Sequence, residues 1–303
     1  MSKKKPSKKK KQAKKKKLQE KRAAKKKETA SKYPDSVISL PDRRAMEGTF
    51  ANIFGHGKPN AVGRAQKIMY NAWDADDPEE RIALALEALE VSRDCADAYV
   101  LLAEEEADSL EEAIDFYRQG VEAGERALGK EAFNEDAGHF WGVLETRPYM
   151  RARAGLAQGL WEAGYRDEAV EHYKDMLRLN PNDNQGIRDL LMPCLIKLGR
   201  DEDAQVLLKQ YEDDIMADWS YSRALLDFRK HGDGPVANKS LKEAVERNKH
   251  VPKYLFGHKR MPRHLPEYSS FGDVNEAVHY VHENKAAWEA TPGALKWLAT
   301  QLK

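Results

Sequence analysis

The side chains best suited to chemistry in this 303-residue chain lie in one short block in the middle of the sequence. The block carries an imidazole, an indole, a carboxylate and a guanidinium, on His139, Trp141, Glu145 and Arg147. Such a set either forms a pocket, for which His139, Trp141 and Arg147 are the candidate residues, or packs as an aromatic plug between structural units. Because a pair between Arg147 and Glu145 needs no substrate to explain it, the plug is the favoured interpretation.

The histidines do not have the spacing of a metal site. His279 and His282 are three residues apart and share one face of a predicted helix. Only Glu276 and Glu283 lie near enough to join them, and they do not complete a tetrahedral set with the ligands that zinc prefers. We therefore predict that the protein binds no metal ion.

The two cysteines, Cys95 and Cys194, show no sign of nucleophilic chemistry. Neither has a histidine beside it in the sequence, and no Gly-x-Ser-x-Gly elbow is present. Both lie within helical patterns, which is typical of small buried hydrophobic residues in a reducing compartment. We predict that the chain is not an enzyme and uses no cofactor.

A repeated spacing of apolar and small residues indicates the elements that must position any site. Residues 150–217 contain the pattern twice, thirty-five residues apart: Leu156, Leu160, Gly164, Ala169 and Tyr173, then Leu191, Leu195, Gly199, Ala204 and Leu208. This is the tetratricopeptide pattern, in which each repeat is a helix–turn–helix that buries its apolar face only by stacking on its neighbours. The spacing predicts an all-α, right-handed helical solenoid.

The same periodicity and its interruptions define the domains. Almost no segment alternates with the period of two that strands require. The predicted organisation is a disordered lysine-rich tail at 1–32, an irregular lead-in at 33–60 and a helical-repeat domain at 61–303, with repeats near 61–95, 96–120, 150–184, 185–217 and 218–250 and a C-terminal cap at 273–302.

The tail holds most of the positive charge of the chain. Residues 1–32 contain sixteen lysines and Arg22 against two glutamates, a net charge of +15, and the remainder carries −14. A block of like charge with few apolar residues cannot offset the entropy lost on folding, so we predict disorder. It is either a solubility tail, a tether to an anionic surface, a strap on the acidic body, or a sequence-blind and salt-sensitive polyanion-binding arm. The candidate polyanion-binding residues are Lys8, Lys9, Lys10, Lys14, Lys15, Lys16, Lys25 and Lys26.

In stacked helix pairs the first helix of each pair lines a concave groove. The repeat register places six polar or aromatic residues there: Arg151, Gln158, Trp161, Asp189, Lys197 and Glu104. Cations for carboxylates and an aromatic anchor suit an extended peptide or a peptide end. The alternative interpretation is an ordinary solvated helix face.

Three stretches in order, Leu101–Ala107, Tyr149–Arg153 and His250–Leu255, resemble the suppression-of-tumorigenicity-seven family of tetratricopeptide-like proteins across about 85–260. The resemblance implies the helical-repeat fold and offers no catalytic residues. It also implies hydrophobic membrane segments in eukaryotic members, whereas this chain has no run of the roughly 20 apolar residues that a spanning helix needs. The block at 138–150 looks more like a soluble, bacterial branch of the family.

These observations predict a cytoplasmic scaffold, an adaptor that binds a protein or peptide in its groove while the tail makes nonspecific contact with polyanions. The basic residues 1–32 lack the apolar core of a secretory signal peptide, which favours a cytoplasmic location. The alternative function is an RNA- or ribosome-associated protein in which the lysine-rich tail is the main binding element. No membrane span is predicted.

Overall fold

The computed structural model describes residues 43–54 and 60–302. Residues 1–43 and 44–303 form two separate units, and of the first only Arg43 is described. The predicted tail at 1–32 and its candidate lysines therefore lie outside the described residues. Within the described ranges every regular element is helical and no strand occurs.

The described helices are α1 (Arg43–Phe54), α2 (Ala61–Asp74), α3 (Pro78–Val91), α4 (Ala96–Glu105), α5 (Leu110–Glu135), α6 (Arg147–Ala163), α7 (Arg166–Leu179), α8 (Ile187–Leu198), α9 (Asp201–Gln210), α10 (Ala217–His231), α11 (Pro235–Arg247), α12 (Val251–Leu255), α13 (Val274–Ala290) and α14 (Ala294–Gln301). Two short 3₁₀ turns, Phe140–Gly142 and Leu144–Thr146, precede α6. None of the described helices combines the length and apolar character needed to cross a membrane.

Successive helices pair and the pairs stack. The pairs α2–α3, α4–α5, α6–α7, α8–α9 and α10–α11 each pack together, and each packs on the pair that follows. First helices also contact one another, as in α2 with α4, α4 with α6 and α8 with α10. This stacking of hairpins confirms the predicted all-α, tetratricopeptide-like fold class for the described residues.

The sequence pattern sets this geometry through its apolar and glycine positions. Leu156, Leu191, Ala169 and Ala204 are buried in one continuous apolar core. Gly164 ends α6 in the left-handed region, at a φ of 92° where a side chain would be strained. The chain can therefore turn sharply and lay α7 against α6.

The join between α5 and α6 relies on very close packing of small residues. A Cβ atom added to Gly155 would overlap the ring of Tyr117, and one added to Gly124 would lie 2.8 Å from the Cβ of Tyr149. Helix α5 continues through Gly124 to Glu135, with a break at Gly129, where φ is 73°. The stretch between the predicted repeats near 96–120 and 150–184 is thus helical as far as Glu135.

Two parts of the structure differ from the sequence-based expectation. The lead-in at 33–60, expected to be irregular, contains the helix α1. The pair over 273–302 does not simply follow the last repeat, because α13 packs against two first helices, α8 and α10, while α14 packs against α11 and α13. Both differences bring additional helices onto the first helices of the repeats.

Candidate functional site

The six candidate groove residues all lie on first helices of the pairs. Glu104 lies on α4, and Asp189 and Lys197 lie on α8. The other three, Arg151, Gln158 and Trp161, lie on α6. We call the surface formed by α2, α4, α6, α8 and α10 the first-helix face. Two helices of the chain itself cover parts of it.

Helix α1 covers the beginning of the first-helix face. The guanidinium of Arg44 binds both carboxylate oxygens of Glu104, at 2.9 and 3.1 Å, and lies 3.6 Å from the centre of the Trp73 ring. Gly48 approaches Tyr70 so closely that an added Cβ would lie 2.8 Å from that side chain. Glu104, predicted to face a partner, therefore binds α1.

Arg151 lies between two carboxylates beneath α1. Its guanidinium donates to Asp97 at 2.6 and 2.8 Å and to Glu47 at 2.9 and 3.1 Å. The side chain of Asp97 is 0% exposed and that of Arg151 is 10% exposed. Gln66 adds a hydrogen bond to Asp97 at 2.7 Å. The forked guanidinium thus satisfies two desolvated anions, and Arg151 is a structural ion-pair residue rather than an open groove cation.

Helix α13 covers the far end of the first-helix face. Lys197 pairs with Glu283 of α13 at 2.7 Å, and Arg229 of α10 donates to Thr291 at 3.0 Å. Glu276 accepts the backbone N–H of Ala217, at the start of α10, at 2.9 Å. The predicted groove lysine is therefore engaged within the chain.

Carboxylates outnumber cations where α8, α10 and α13 meet. Burial, and then the neighbouring charge of Asp189, raise the pKa of Asp218 to about 7. Asn284 donates to Asp218 at 3.4 Å, a weak compensation for the lost solvation. The carboxyl of Asp189 is crowded by the surrounding helices although 54% of its side chain is exposed, and its pKa is raised to about 6. A cation placed here would stabilise both ionised carboxylates.

Between the two covered parts, three candidate residues remain accessible. Gln158 is exposed and donates only to Glu162, at 3.3 Å; Trp161 is half-buried; Asp189 is half-exposed. No hydrogen bond or ion pair joins any of the three to a described residue of α1 or α13. Arg166 places its guanidinium 5.4 Å from the Trp161 ring. We call Gln158, Trp161 and Asp189 the central section of the first-helix face.

The candidate pocket before α6 is only partly assembled. Arg147 lies 5.2 Å from the Trp141 ring, donates to the Trp141 carbonyl at 2.9 Å and pairs with Glu47 at 3.0 Å. Phe140, which is fully buried, packs against the rings of Phe133 and Tyr149. His139 is exposed, and its ring makes no hydrogen bond or ion pair with the rest of the described chain. This arrangement resembles the plug more than the pocket.

Both cysteines are buried, and the two histidines with helical spacing, His279 and His282, have different contacts. Burial raises the pKa of both Cys95 and Cys194 to about 12, so neither thiol is activated as a nucleophile. His279 contacts the carbonyl of Pro266 at 2.9 Å, whereas His282 lies 3.7 Å from Glu283. Among the described residues no three His, Cys, Asp or Glu side chains are arranged to hold a metal ion.

Glu47 and Glu283, which bind the cations of the first-helix face, were not identifiable as partners from the sequence. Glu47 lies 104 residues from Arg151, and Glu283 lies 86 residues from Lys197. For Glu47, one signal is the spacing of Met46, Phe50 and Phe54, four residues apart, which is typical of a helix.

Comparison with known proteins gives consistent matches. The family model described as ST7 protein matches residues 54–303. The chain is 31% identical to the suppressor of tumorigenicity 7 protein-like of Gallus gallus, over 79% of this chain and 47% of that protein. It is 29% identical to the suppressor of tumorigenicity 7 protein of Loxodonta africana, over 88% of this chain and 52% of that protein. The family resemblance predicted from the sequence is confirmed.

The chain spans about half the length of the relatives that it matches. Among solved structures it is similar to YrrB, described as a TPR protein with an unusual peptide-binding site. That similarity has a TM-score of 0.43 and 18% sequence identity, and covers 65% of this chain and 91% of the other.

Proposed function

We propose that this chain, which belongs to the ST7 protein family, is a helical-repeat scaffold that binds a protein or peptide partner at the central section of its first-helix face. One observation carries the proposal: helices cover this face on both sides of the central section, and Gln158, Trp161 and Asp189 are left accessible between them. Because α1 and α13 already bind the same face through carboxylate–cation pairs, the surface suits a helical or extended segment.

The chemistry of the central section indicates what such a partner offers. Trp161 can anchor an apolar or aromatic side chain, which is the commonest source of affinity in interfaces. Asp189 has one long ion pair, with Arg188 at 3.8 Å. Burial, and then the nearby carboxylates of Asp214 and Asp183, raise the pKa of Asp189, so it favours a lysine or arginine of the partner. The amide of Gln158 can bond to the partner's backbone. We expect a partner segment with one apolar and one basic residue close together.

The lysine-rich residues 1–32 form the second part of the proposal. Their net charge of +15 supports nonspecific contact with polyanions, which would raise the local concentration of the scaffold near RNA, DNA or ribosomes. The same charge supports the second candidate function, an RNA- or ribosome-associated protein whose tail is the main binding element. We also propose a cytoplasmic location, which the two free cysteines, Cys95 and Cys194, support.

A photo-cross-linking residue placed at position 158 of the full chain tests the scaffold function in cells. We expect cross-linked partners at 158 but not at the control position 239, on the second helix α11, where the lysine is 79% exposed. Trp161→Ala should remove the cross-linked products. Val206→Ala, which truncates a side chain 67% exposed on α9, should leave them unchanged.

Identical products at positions 158 and 239, or products that survive Trp161→Ala, would contradict binding at the central section. A melting temperature measured for each variant shows whether the fold is preserved.

A further inference from the structure

A second surface, far along the chain from the central section, carries an unusual set of charges. The segment 247–264 contains six lysines and arginines and no aspartate or glutamate. It comprises the end of α11, the short helix α12 and the loop that follows. We call its six cations the basic surface: Arg247, Lys249, Lys253, Lys259, Arg260 and Arg263.

The cations of the basic surface have few contacts within the fold: Lys259 lies 5.8 Å from the Tyr254 ring, and Arg247 donates to the Ile215 carbonyl at 3.5 Å. The five from Lys249 to Arg263 are exposed, and none forms an ion pair within the described chain. Partly buried arginines of the repeats behave differently, since Arg188 pairs with Asp214 at 2.9 Å and Arg229 pairs with Asp201 at 2.7 Å. Unneutralised cations on one surface repel each other, and this cost is recovered only when an anion binds.

The cations are also close to one another. Partial burial, and then the charges of Lys259, Lys249 and Lys253, lower the pKa of His250. Only Asp273, which caps α13, opposes them. Lys259 is held near Lys253 because its backbone N–H donates to the Lys253 carbonyl at 3.0 Å. Lys249, Lys253 and Lys259 are therefore grouped around His250 rather than scattered.

The loop between α12 and α13 is exposed but fixed in place. Its backbone bonds to α13, through Pro266 to His279 at 2.9 Å and through Tyr268 to Asn275 at 2.8 Å. Gly272 comes so close to α11 that an added Cβ would lie 2.9 Å from the Arg247 carbonyl oxygen. This contact places Gly272, which follows Phe271 in the chain, beside Arg247 of the basic surface.

Two aromatic rings of this fixed loop lie in solvent. Tyr268 is 78% exposed and Phe271 is 50% exposed. Large rings are normally buried, because they contribute strongly to a core or an interface. Exposed rings next to unpaired cations are the two features with which proteins hold single-stranded nucleic acid, since bases stack on the rings and phosphates bind the cations. An acidic peptide would use the cations alone.

We propose that the basic surface, with Tyr268 and Phe271, binds single-stranded nucleic acid. The phosphates bind the lysines and arginines and the bases stack on the two rings, without reading of the base sequence. This site lies on the folded repeat domain, and it shares no residue with the central section or with the lysine-rich tail.

The salt dependence of binding tests the cations. Affinity of the full chain for a fluorescein-labelled 20-residue oligouridylate is measured by anisotropy at several NaCl concentrations. The variant Lys253→Gln/Arg260→Gln/Arg263→Gln should lower the salt slope by about 2, because each neutralised phosphate of a single strand releases about 0.7 counterion. The control Lys239→Gln/Lys242→Gln/Lys285→Gln removes the same charge from three lysines that pair with glutamates four residues away. It should change the slope much less, and an equal change in both variants would overturn the proposal.

The aromatic residues are tested separately, with the tail present in every variant. Tyr268→Ala/Phe271→Ala should weaken binding by about tenfold or more, since base stacking is lost while charge is unchanged. A 5-bromouridine cross-link should map to residues 265–272. Cross-links confined to residues 1–32 would overturn the proposal. The proposal would also be overturned if the aromatic variant bound RNA as tightly as the wild-type protein and polyglutamate of equal charge displaced the RNA. That result would identify a site for acidic protein segments.

Discussion

Arg151 is held between carboxylates that come from two different helices, α1 and α4. Replacing it with alanine would leave the fully buried Asp97 without its cation and would leave the largely buried Glu47 with Arg147 alone. Removing one partner of a buried ion pair costs about 3–5 kcal/mol, because the remaining charge is desolvated and unpaired. We expect Arg151→Ala to lower the free energy of unfolding by that amount in urea titrations.

Arg178→Ala is the matched control, because Arg178 pairs with Asp175 on the surface with 58% of its side chain exposed. Exposed pairs contribute about 0–1 kcal/mol. Equal stability losses in the two variants would show that Arg151 is not the centre of a buried network.

Asp218 makes stability depend on pH. Its pKa is about 7 in the folded protein and 3.8 in the reference state, so the folded form keeps a proton that the unfolded form releases. The folded protein therefore loses stability as pH rises from about 4 to 7. We expect Asp218→Asn to remove this loss, and to raise the free energy of unfolding at pH 8 by on the order of 2–4 kcal/mol.

At pH 4 the same variant should differ from the wild-type protein by less than about 1 kcal/mol, because Asp218 is then protonated in the folded state and partly protonated in the unfolded state. The exposed residue Asp213 provides the control, and Asp213→Asn should have little effect at either pH. A stabilisation that is equal at pH 4 and pH 8 would mean that the carboxyl charge is not its cause.

At the level of single residues, the sequence predicts which helix a side chain lies on better than it predicts whether that side chain is exposed. The repeat register correctly assigns Arg151 and Lys197 to first helices, because helical periodicity is a local property. Their partners lie 104 and 86 residues away, and no local pattern reveals them. Gln158 and Asp189 stay accessible, and neither forms a hydrogen bond or ion pair with a described residue of α1 or α13.

Helices differ in how far their own sequence determines them. The pairs at 150–217 follow from apolar spacing, from glycines that end α6 and α8, and from contacts with neighbours in the sequence. Helix α1 is short and contains Gly48, and glycine is a poor helix former. The apolar spacing of α1 is therefore too weak a signal to predict a helix from the sequence. Short helices gain most of their stability from packing, and α1 gains it from α2, α4 and α6.

The contact between α5 and α6 allows a direct test of helix packing. Gly155 faces the ring of Tyr117, so a single added methyl group forces that ring or the helix to move. Alanine is the better helix former by about 1 kcal/mol, and in an open position it would stabilise the protein. We expect Gly155→Ala instead to destabilise by about 1–3 kcal/mol, as overpacking does, in thermal or urea unfolding.

Gly142→Ala is the control at a glycine where an added Cβ meets no atom within 4 Å. It should change stability by less than about 1 kcal/mol. If Gly155→Ala proves neutral or stabilising, the two helices do not pack as closely as the structure indicates.

Across the whole molecule, shape and charge are determined in different ways. The stacked hairpins depend on contacts between neighbours in the sequence, which is why the fold class is readable from the sequence. The coverage of the first-helix face depends on α1 and α13, which contact helices distant in sequence. The net charge of +1 conceals a −14 body, and within that body lies a basic surface that composition alone does not reveal.

Removing residues 1–32 separates the two candidate functions. The net charge falls from +1 to −14, so nonspecific attraction to polyanions should weaken sharply. We expect the shortened chain to leave a heparin column at much lower salt than the full chain, and to keep the cross-linked partners obtained at position 158. Because the central section contains none of the removed residues, its binding should not depend on them. Loss of those partners together with heparin binding would instead favour the RNA- or ribosome-associated function, in which the tail is the main binding element.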